Sequence, residues 1–201
     1  MIAICDHNSA ENVQAVIRAA EKVGLAVIGG MEITSREEVH VLGLFQEDHL
    51  LNAVQDVIYD NLPGENDPGV FGEQLVMDRE DRVVRRNQRL LIGATDLSLD
   101  EVVRIIHEFN GLAIASHVDR PSFSVLSQLG FIPEDLQLDG VEVCSERLPA
   151  LPGNMPVIRS SDAHRLGEIG TRQTCFLVEK GTAAEIGMAL RRTGGRRIMT
   201  G

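Results

Sequence analysis

Short runs of β-branched and other apolar residues alternate along this chain with amphipathic stretches of helical periodicity. In the first such stretch, Val13, Val16, Ile17 and Ala20 share one helical face. Strands that alternate with helices predict a mostly parallel sheet covered by helices, which is an α/β architecture. The predicted strands cover residues 2–5, 25–28, 39–45, 112–116, 140–143, 157–160 and 174–178.

Helix starts and loop signals organise the rest of the chain. Ser98-Leu-Asp-Glu101 is a capping box, the sequence signature of a helix start. Residues 61–72 contain two prolines and three glycines and are predicted to be a loop. Residues 74–86 are predicted to form a β-hairpin that turns at 79–81. We therefore expect a single domain over residues 1–201, with a small insertion at about residues 60–95.

The charge balance restricts the partners that the protein is expected to bind. The chain has 30 Asp and Glu residues against 19 Lys and Arg residues, which gives a net charge of −11. Domains that hold long nucleic acids are usually basic. Single-strand binders use aromatic platforms, whereas aromatic residues make up 3% of this chain. We expect no strong nucleic-acid binding. The one dense basic run is predicted to be a solvated tail and comprises Arg191, Arg192, Arg196 and Arg197.

Cysteine usage and hydropathy indicate the cellular environment. Cys5, Cys144 and Cys175 are odd in number and widely spaced, which is typical of reduced, buried thiols rather than of disulfides or CxxC metal sites. The first residues lack the basic region of a signal peptide. No run reaches the roughly 18 apolar residues that a membrane span needs. We expect a soluble, cytoplasmic protein with no membrane partner.

Four of the six histidines fall at the ends of predicted strands, where α/β barrels carry their chemistry. Three carboxylates lie beside them at the same strand ends. Imidazole and carboxylate groups without thiolates are the ligands of a divalent metal site. The residues grouped in this way are His7, His40, His117 and His164, together with Asp6, Glu32 and Asp162.

Each of these residues also has a purely structural interpretation, as part of a turn, a helix cap, an ion pair or a polar strand face. Glu32, for example, could form an ion pair with Arg36, and His40 could lie on the polar face of an edge strand. The whole set is much harder to explain in this way than any one member. His49 and His107 join no such cluster and are assigned as solvated helix residues.

The motifs that contain these residues resemble those of a known family. They are Ile-Ala-Ile-Cys-Asp6-His7-Asn8, Met-Glu32-Ile33, Glu-Val-His40-Val-Leu-Gly43, Ala-Ser-His117-Val-Asp-Arg120, Gly-Val-Glu142-Val and Ser161-Asp162-Ala-His164. Their order and spacing over about residues 1–180 resemble the PHP (polymerase and histidinol phosphatase) family. Cys5 and Val118 depart from the Thr and Pro that are common there, and neither is at a ligand position.

The resemblance implies a distorted (β/α)7 TIM-like barrel. Its strand ends would hold up to three divalent metal ions, usually Zn, Mn or Fe, and hydrolyse phosphate esters. Carried over by position, the implied ligands are Glu32 as a bridge between two metals, His40 and His117 with it at one metal, Asp162 at a second, and His7 and His164 at a third.

Two further residues have implied roles beside the metals. Arg120 follows His117 by three residues and matches a family position that often contacts substrate phosphate; a surface ion pair with Asp119 is the alternative. Asp6 is expected to orient His7 rather than to act as the general acid. The general acid stays unassigned.

The family also implies an opening strand that ends in His-x-His, and this sequence contains no His-x-His. We therefore expect a barrel that is incomplete at its N terminus, with the first βα unit missing. Only Glu32, His40 and His117 then form a complete set of three protein ligands, which is enough for one open metal site. The sheet edge at residues 2–5 would be unpaired, which predicts association, most simply as a homodimer.

Together these features predict a metal-dependent phosphoesterase that acts on a small phosphate ester such as a nucleotide or sugar phosphate. The expected nucleophile is hydroxide formed from metal-bound water. One alternative is a catalytically impaired PHP-like binding or regulatory domain. A second is an amidohydrolase-type hydrolase of C–N bonds, which usually carries its own His-x-His and often a carboxylated lysine. Neither Lys22 nor Lys180 follows a predicted strand.

Overall fold

The computed structural model describes residues 1–199, in which strands and helices alternate along the chain. The strands are β1 (Ile2–Ile4), β2 (Val27–Thr34), β3 (His40–Phe45), β4 (Leu75–Met77), β5 (Val83–Arg86), β6 (Leu112–Ala115), β7 (Gly140–Glu142), β8 (Val157–Ile158), β9 (Phe176–Leu177) and β10 (Arg197–Ile198). The α-helices are α1 (Val13–Glu21), α2 (Asp48–Asp60), α3 (Pro68–Phe71), α4 (Leu99–Glu108), α5 (Val125–Leu129) and α6 (Ala183–Leu190). None of these helices is long and apolar enough to cross a membrane.

Six strands form one curled, mixed sheet in the order β1-β2-β3-β6-β7-β8. The pairs β1–β2, β6–β7 and β7–β8 are parallel, whereas β3 runs antiparallel to both β2 and β6. The sheet forms a half-barrel, which confirms the predicted α/β class and agrees with an incomplete TIM-like barrel. The strand predicted at 39–45 is present as β3, but its antiparallel course differs from the expected mostly parallel sheet. Only residues 35–39 join β3 to β2, and so short a connection forms a hairpin rather than a parallel crossover.

The larger hydrophobic core lies on the face of the sheet that is covered by α1, α2, α4 and α5. Met31, Ile33 and Val41 from the sheet are fully buried there with Val54 of α2 and Ile106 of α4. Complete burial of a side chain of this size contributes about 1.5–3 kcal/mol to stability. This core therefore holds β2 and β3 in register with the helices.

A smaller core lies on the opposite face, under α6. It includes Ile28 of β2 and Ile114 of β6, packed with Ile186 and Leu190 of α6. Successive side chains of a strand point to opposite faces, so Glu32, four residues after Ile28, lies on this same face near the end of β2. The alternation of side chains along β2 thus places the carboxylate of Glu32 at the end of the smaller core.

Gly30 allows the strands to approach each other closely just before this carboxylate. A Cβ atom at Gly30 would lie 2.7 Å from Cys5 Sγ and 2.8 Å from the carbonyl oxygen of Gly43. Both separations are shorter than van der Waals contact, so a larger residue here would push β1 or β3 away from β2.

Between α2 and α4 the chain leaves the main sheet. This excursion contains α3 and the antiparallel hairpin β4–β5, which confirms the hairpin predicted at residues 74–86. Asn8 fixes the excursion to the loop after β1, because its Nδ2 donates to the carbonyl oxygens of Leu91 and Gly93, both at 2.8 Å. The division into one domain with a small insertion stays a prediction.

The capping box at the start of α4 is present as predicted. Ser98 Oγ accepts a hydrogen bond from the backbone N–H of Glu101, and Glu101 Oε2 accepts one from the backbone N–H of Ser98 at 2.8 Å. A cap of this kind contributes about 1 kcal/mol. It fixes the start of the helix that leads into β6.

The C-terminal part differs from the sequence predictions in three ways. The strand predicted at 174–178 pairs as β9 with β10 in a separate two-stranded sheet. The basic run is not simply a solvated tail, since Arg196 forms ion pairs with Glu185 at 2.9 Å and Glu179 at 2.7 Å. Cys175 is exposed rather than buried, although all three cysteines are free thiols as expected. Association through the edge strand β1 stays a prediction.

Candidate metal centre

Four predicted ligands meet where β1, β2 and β6 end and β3 begins. His7 follows β1 and forms a parallel β-bridge with Glu32. Because β3 runs antiparallel, its first residue, His40, lies at this same end of the sheet and pairs with Thr34, the last residue of β2. His117 follows β6, and the backbone N–H of Ser116 donates to the carbonyl oxygen of His40 at 3.0 Å.

Glu32, His40 and His117 form a compact triangle of ligand atoms. Glu32 Oε1 lies 3.2 Å from His40 Nδ1 and 3.3 Å from His117 Nε2. The two imidazole nitrogens are 3.2 Å apart. All three side chains are largely buried. Three ligand atoms, from β2, β3 and the loop after β6, thus lie within 3.3 Å of one another.

The triangle has the size that a tetrahedral metal site requires. Bonds of about 2.0–2.2 Å arranged tetrahedrally separate the ligand atoms by about 3.3–3.6 Å. The observed edges of 3.2–3.3 Å are close to that range. Two imidazoles and one carboxylate are also a set that Zn, Mn and Fe accept. The residues fit a divalent cation.

His7 extends the centre on the other side of Glu32. Its Nδ1 lies 3.4 Å from Glu32 Oε2, so that the carboxylate faces His7 with one oxygen and His40 and His117 with the other. Ligand atoms of His7, Glu32 and His40 all lie within 4.8 Å of one another. The buried Nδ1 of His7 makes no hydrogen bond with any described residue. A buried nitrogen without a partner is costly, and a cation would supply one.

The protonation states of the centre favour metal binding. Burial raises the pKa of Glu32, but hydrogen bonds from His117 and His40 outweigh it and lower that pKa well below its usual range. Burial lowers the pKa of His7. The centre therefore presents an ionised carboxylate and a neutral imidazole at neutral pH, the forms that bind metals.

Asp162 and His164 face the same centre from the loop after β8. The ring centroids of His7 and His164 are 6.2 Å apart, and Asp162 Oδ1 lies 3.8 Å from His164 Nδ1. Asp162 Oδ2 also lies 2.5 Å from Nη2 of Arg120. The six predicted ligands and Arg120 all line one cavity of about 170 Å³, which we call the histidine cavity.

Several structural alternatives do not hold. Asp119 does not pair with Arg120, because its carboxylate accepts the backbone N–H groups of Cys144 at 2.8 Å and Ser145 at 2.6 Å. Arg36 does not pair with Glu32 and instead reaches the carbonyl oxygen of Asp96 at 3.4 Å.

Asp6 and the two unassigned histidines also have definite surroundings. Among the described residues, the side chain of Asp6 forms no hydrogen bond with His7, contrary to expectation. Its Oδ2 instead accepts a hydrogen bond from Asn12 Nδ2 at 3.1 Å. His107 is not simply solvated, since its Nε2 lies 2.9 Å from Asp139 Oδ2. His49 lies on α2 and is exposed, as expected.

Glu142 is a site residue to which the sequence analysis gave no role. It ends β7, is 2% exposed, and accepts a hydrogen bond from the backbone N–H of His117 at 3.0 Å and another from Ser160 Oγ. Burial raises its pKa to about 7. The test that found the histidines, an ionisable residue at the end of an apolar strand, would also have found Glu142.

Phe123 is a second residue that sequence analysis missed, and no motif signals it. Its ring stacks on the imidazole of His40 with centroids 4.8 Å apart, and its carbonyl oxygen accepts the backbone N–H of His40 at 3.0 Å. The contact fixes one face of a candidate ligand.

Four of the eight described non-glycine residues with a positive φ lie at or beside this centre. The φ angles of Asn8 (48°), His117 (29°), Phe123 (55°) and Asp162 (46°) are in the left-handed region, which favours glycine. Such conformations cost roughly 1–3 kcal/mol each and cluster at functional sites. The strain supports a functional interpretation of these loops.

Comparisons with known proteins show the fold. No protein-family model and no curated protein matches the chain. Among solved structures, the lesion-specific endonuclease Q from Pyrococcus furiosus is similar, with a TM-score of 0.61 and 19% identity over 88% of this chain and 41% of its own. Endonuclease Q in complex with a 27-mer duplex substrate that has an abasic lesion at the active site gives a TM-score of 0.57 and 19% identity, over 88% and 42%.

A third solved structure is a candidate metal-dependent phosphoesterase from Bifidobacterium adolescentis. It aligns with a TM-score of 0.51 and 18% identity, over 85% of this chain and 80% of its own. The chain therefore shares its fold with these solved structures. It spans about two fifths of the length of endonuclease Q.

Proposed function

We propose that this protein is a metal-dependent phosphoesterase of the PHP type that acts on a small phosphate ester, such as a nucleotide or a sugar phosphate. The observation that carries the proposal is the ligand triangle of Glu32, His40 and His117, with edges of 3.2–3.3 Å. Similarity of fold to metal-dependent phosphoesterases supports it. Zn, Mn and Fe are the metals that this donor set favours.

In this proposal, the histidines and Glu32 bind metal ions and other residues bind the substrate. Glu32, His40 and His117 hold one cation, while His7 and His164 lie on the far side of Glu32, where they can hold another. A bound divalent cation lowers the pKa of a water molecule and neutralises charge on phosphate oxygens.

Arg120 is the group that we propose for phosphate recognition. Its side chain is 38% exposed and lines the histidine cavity, where Asp162 holds its guanidinium. A guanidinium can donate two hydrogen bonds to one phosphate, which gives affinity and orientation.

Metal analysis and a hydrolysis assay test this proposal together. We expect the purified protein to bind Zn²⁺ or Mn²⁺ and to hydrolyse small phosphate esters, and His117→Ala to lose both properties. His49→Ala is the matched control, because His49 is an exposed histidine in the first turn of α2 and does not line the cavity. Circular dichroism checks that both variants fold.

The alternatives give different results in the same experiment. Metal binding without hydrolysis of any ester would favour a binding or regulatory domain. Hydrolysis of an amide but of no phosphate ester would favour the amidohydrolase alternative. Equal metal content in His117→Ala and His49→Ala would contradict the ligand assignment itself.

A further inference from the structure

A second cavity joins the candidate metal centre from the side of the excursion. It has a volume of about 430 Å³, within the range of about 300–1,000 Å³ that is typical of small-molecule sites. Its inner end is lined by His7, Glu32, Asp162 and His164, which also line the histidine cavity. Its outer wall is formed by the β4–β5 hairpin and the segment that follows it. We call it the hairpin cavity.

The two cavities differ in the charged residues that only one of them contains. Arg120 lines the histidine cavity, whereas no Lys or Arg among the described residues lines the hairpin cavity. Of the acidic residues there, Glu11 is neutralised by an ion pair with Arg85. Glu32 and Asp162 line both cavities and so do not distinguish them, whereas Asp6 lines only the hairpin cavity and forms no ion pair with a described residue. Arg120 therefore favours a phosphate on its own side, and Asp6 disfavours one on the other.

The wall of the hairpin cavity is built in advance of any ligand. Gln74 Nε2 donates to the carbonyl oxygens of Asn87 at 3.0 Å and Arg89 at 2.6 Å, while its Oε1 accepts the backbone N–H of Leu91 at 3.1 Å. Asn12 Oδ1 accepts the backbone N–H of Met77 at 2.9 Å. The amide side chains are thus used to hold the wall rather than left free for a ligand.

Away from the inner end, what remains for a ligand is an apolar surface and one carboxylate that forms no ion pair. The apolar surface consists of Leu75, Val76, Leu91 and Ile92. The carboxylate of Asp6 has Asn12 as its one side-chain partner among the described residues, through Oδ2, so its Oδ1 is free. An ionised carboxylate only accepts hydrogen bonds, and it therefore selects hydroxyl or amino groups.

We infer that the hairpin cavity binds the alcohol part of a phosphate monoester, and that this alcohol carries hydrogen-bond donors and no negative charge. The inference rests on the proposed function and narrows its substrate class. The ester oxygen lies where the two cavities meet, with the phosphate toward Arg120 and the alcohol between Asp6 and the apolar wall. A polynucleotide would bring a further phosphate toward Asp6 and is disfavoured.

Two substrates that differ by one phosphate test the orientation. We expect kcat/KM for a nucleoside 5′-monophosphate to exceed that for the matching 3′,5′-bisphosphate by tenfold or more. Val76→Arg places a cation in the hairpin cavity and should reduce this preference at least threefold. Val84→Arg is the matched control, because Val84 lies on the same hairpin but is 64% exposed and does not line the cavity. It should leave the preference unchanged.

A binding measurement separates failure of this inference from failure of the proposed function. Calorimetry with the free nucleoside and with ribose requires no catalysis. We expect the nucleoside or the sugar to bind, and Asp6→Asn to weaken that binding at least threefold. The tighter of the two neutral ligands identifies the source of the alcohol.

The inference is overturned if the bisphosphate or an oligonucleotide is preferred, or if none of the neutral ligands binds. Absence of hydrolysis with all esters, combined with nucleoside or sugar binding that Val76→Arg abolishes, would contradict the proposed function alone.

Discussion

Arg120 and Asp162 form an ion pair across the candidate centre, with Nη2 of Arg120 2.5 Å from Oδ2 of Asp162. The two residues come from the loops after β6 and β8, and Asp162 is only 13% exposed at this contact. A carboxylate that holds the guanidinium from one side leaves its other N–H groups free to face the histidine cavity. The ion pair therefore orients the guanidinium of Arg120 so that it can bind an anion.

The first prediction concerns this arginine. We expect Arg120→Gln to lower kcat/KM for a phosphate ester by about 10–100-fold, because a charge-assisted hydrogen bond contributes about 1.5–3 kcal/mol. Metal content should stay unchanged, since Arg120 is not a ligand of the Glu32 triangle. Arg172→Gln, at an exposed arginine outside both cavities, is the control. Equal losses in the two variants would argue against phosphate recognition by Arg120.

A second prediction concerns Asn8, which joins three parts of the chain. Besides its two bonds to the excursion, its Oδ1 accepts the backbone N–H of Thr34 at 3.0 Å, and the residue is fully buried with a φ of 48°. We expect Asn8→Ala to reduce the free energy of unfolding by about 2–4 kcal/mol, since buried polar groups lose their partners.

Asn8→Gly separates the two causes of that loss. Glycine also removes the three hydrogen bonds but adopts a positive φ without strain. It should therefore be about 1 kcal/mol more stable than Asn8→Ala in urea unfolding. If the alanine variant were the more stable of the two, backbone strain at this position would be excluded.

Phe123 leads to a third prediction, about positioning rather than contact with the metal. Its ring covers His40, so Phe123→Ala frees the imidazole to rotate. Loss of partners that orient a ligand typically costs 10–100-fold in metal affinity, and we expect about tenfold in a Zn²⁺ titration by calorimetry. Phe131→Ala, at a phenylalanine that is 62% exposed, should have no effect. If Phe123→Ala leaves the Zn²⁺ affinity unchanged, Phe123 only packs against His40 and does not position it.

Strand ends could be recognised from sequence because alternation along a strand is a local property. Glu32 and His117 stand next to apolar runs that the sequence shows directly, and the structure brings both to one end of the sheet. The antiparallel course of β3 follows from the length of β2, which extends to Thr34 rather than ending at residue 28 as predicted, so that only residues 35–39 join the two strands.

Other parts of the centre depend on contacts between distant segments, which no local pattern encodes. The ion-pair partner of Arg120 is Asp162 rather than its neighbour Asp119. The carboxylate of Asp119 instead accepts hydrogen bonds from backbone N–H groups of the loop after β7. The hairpin cavity exists because Asn8 and Asn12 fix the excursion at one particular position. These contacts between distant segments can be identified only from the folded structure.

The last prediction is a pH dependence of stability that originates in Glu142. Burial raises the pKa of this carboxyl from its ordinary value of 4.5 to about 7 in the folded protein. A raised pKa means that the folded state holds a proton which the unfolded state releases. The stabilisation by this group is complete below about pH 4.5 and is lost as the pH rises through 7.

Glu142→Gln isolates this effect, because the glutamine can still accept from the His117 backbone N–H and can donate to Ser160 but cannot ionise. Each unit of pKa is equivalent to about 1.4 kcal/mol. With a chelator present, we therefore expect the unfolding free energy of the wild type to fall by up to roughly 3 kcal/mol relative to Glu142→Gln between pH 4.5 and 7.5. Urea unfolding at a series of pH values measures the difference. Parallel curves for the two proteins would show that Glu142 is already ionised in the folded state throughout this range.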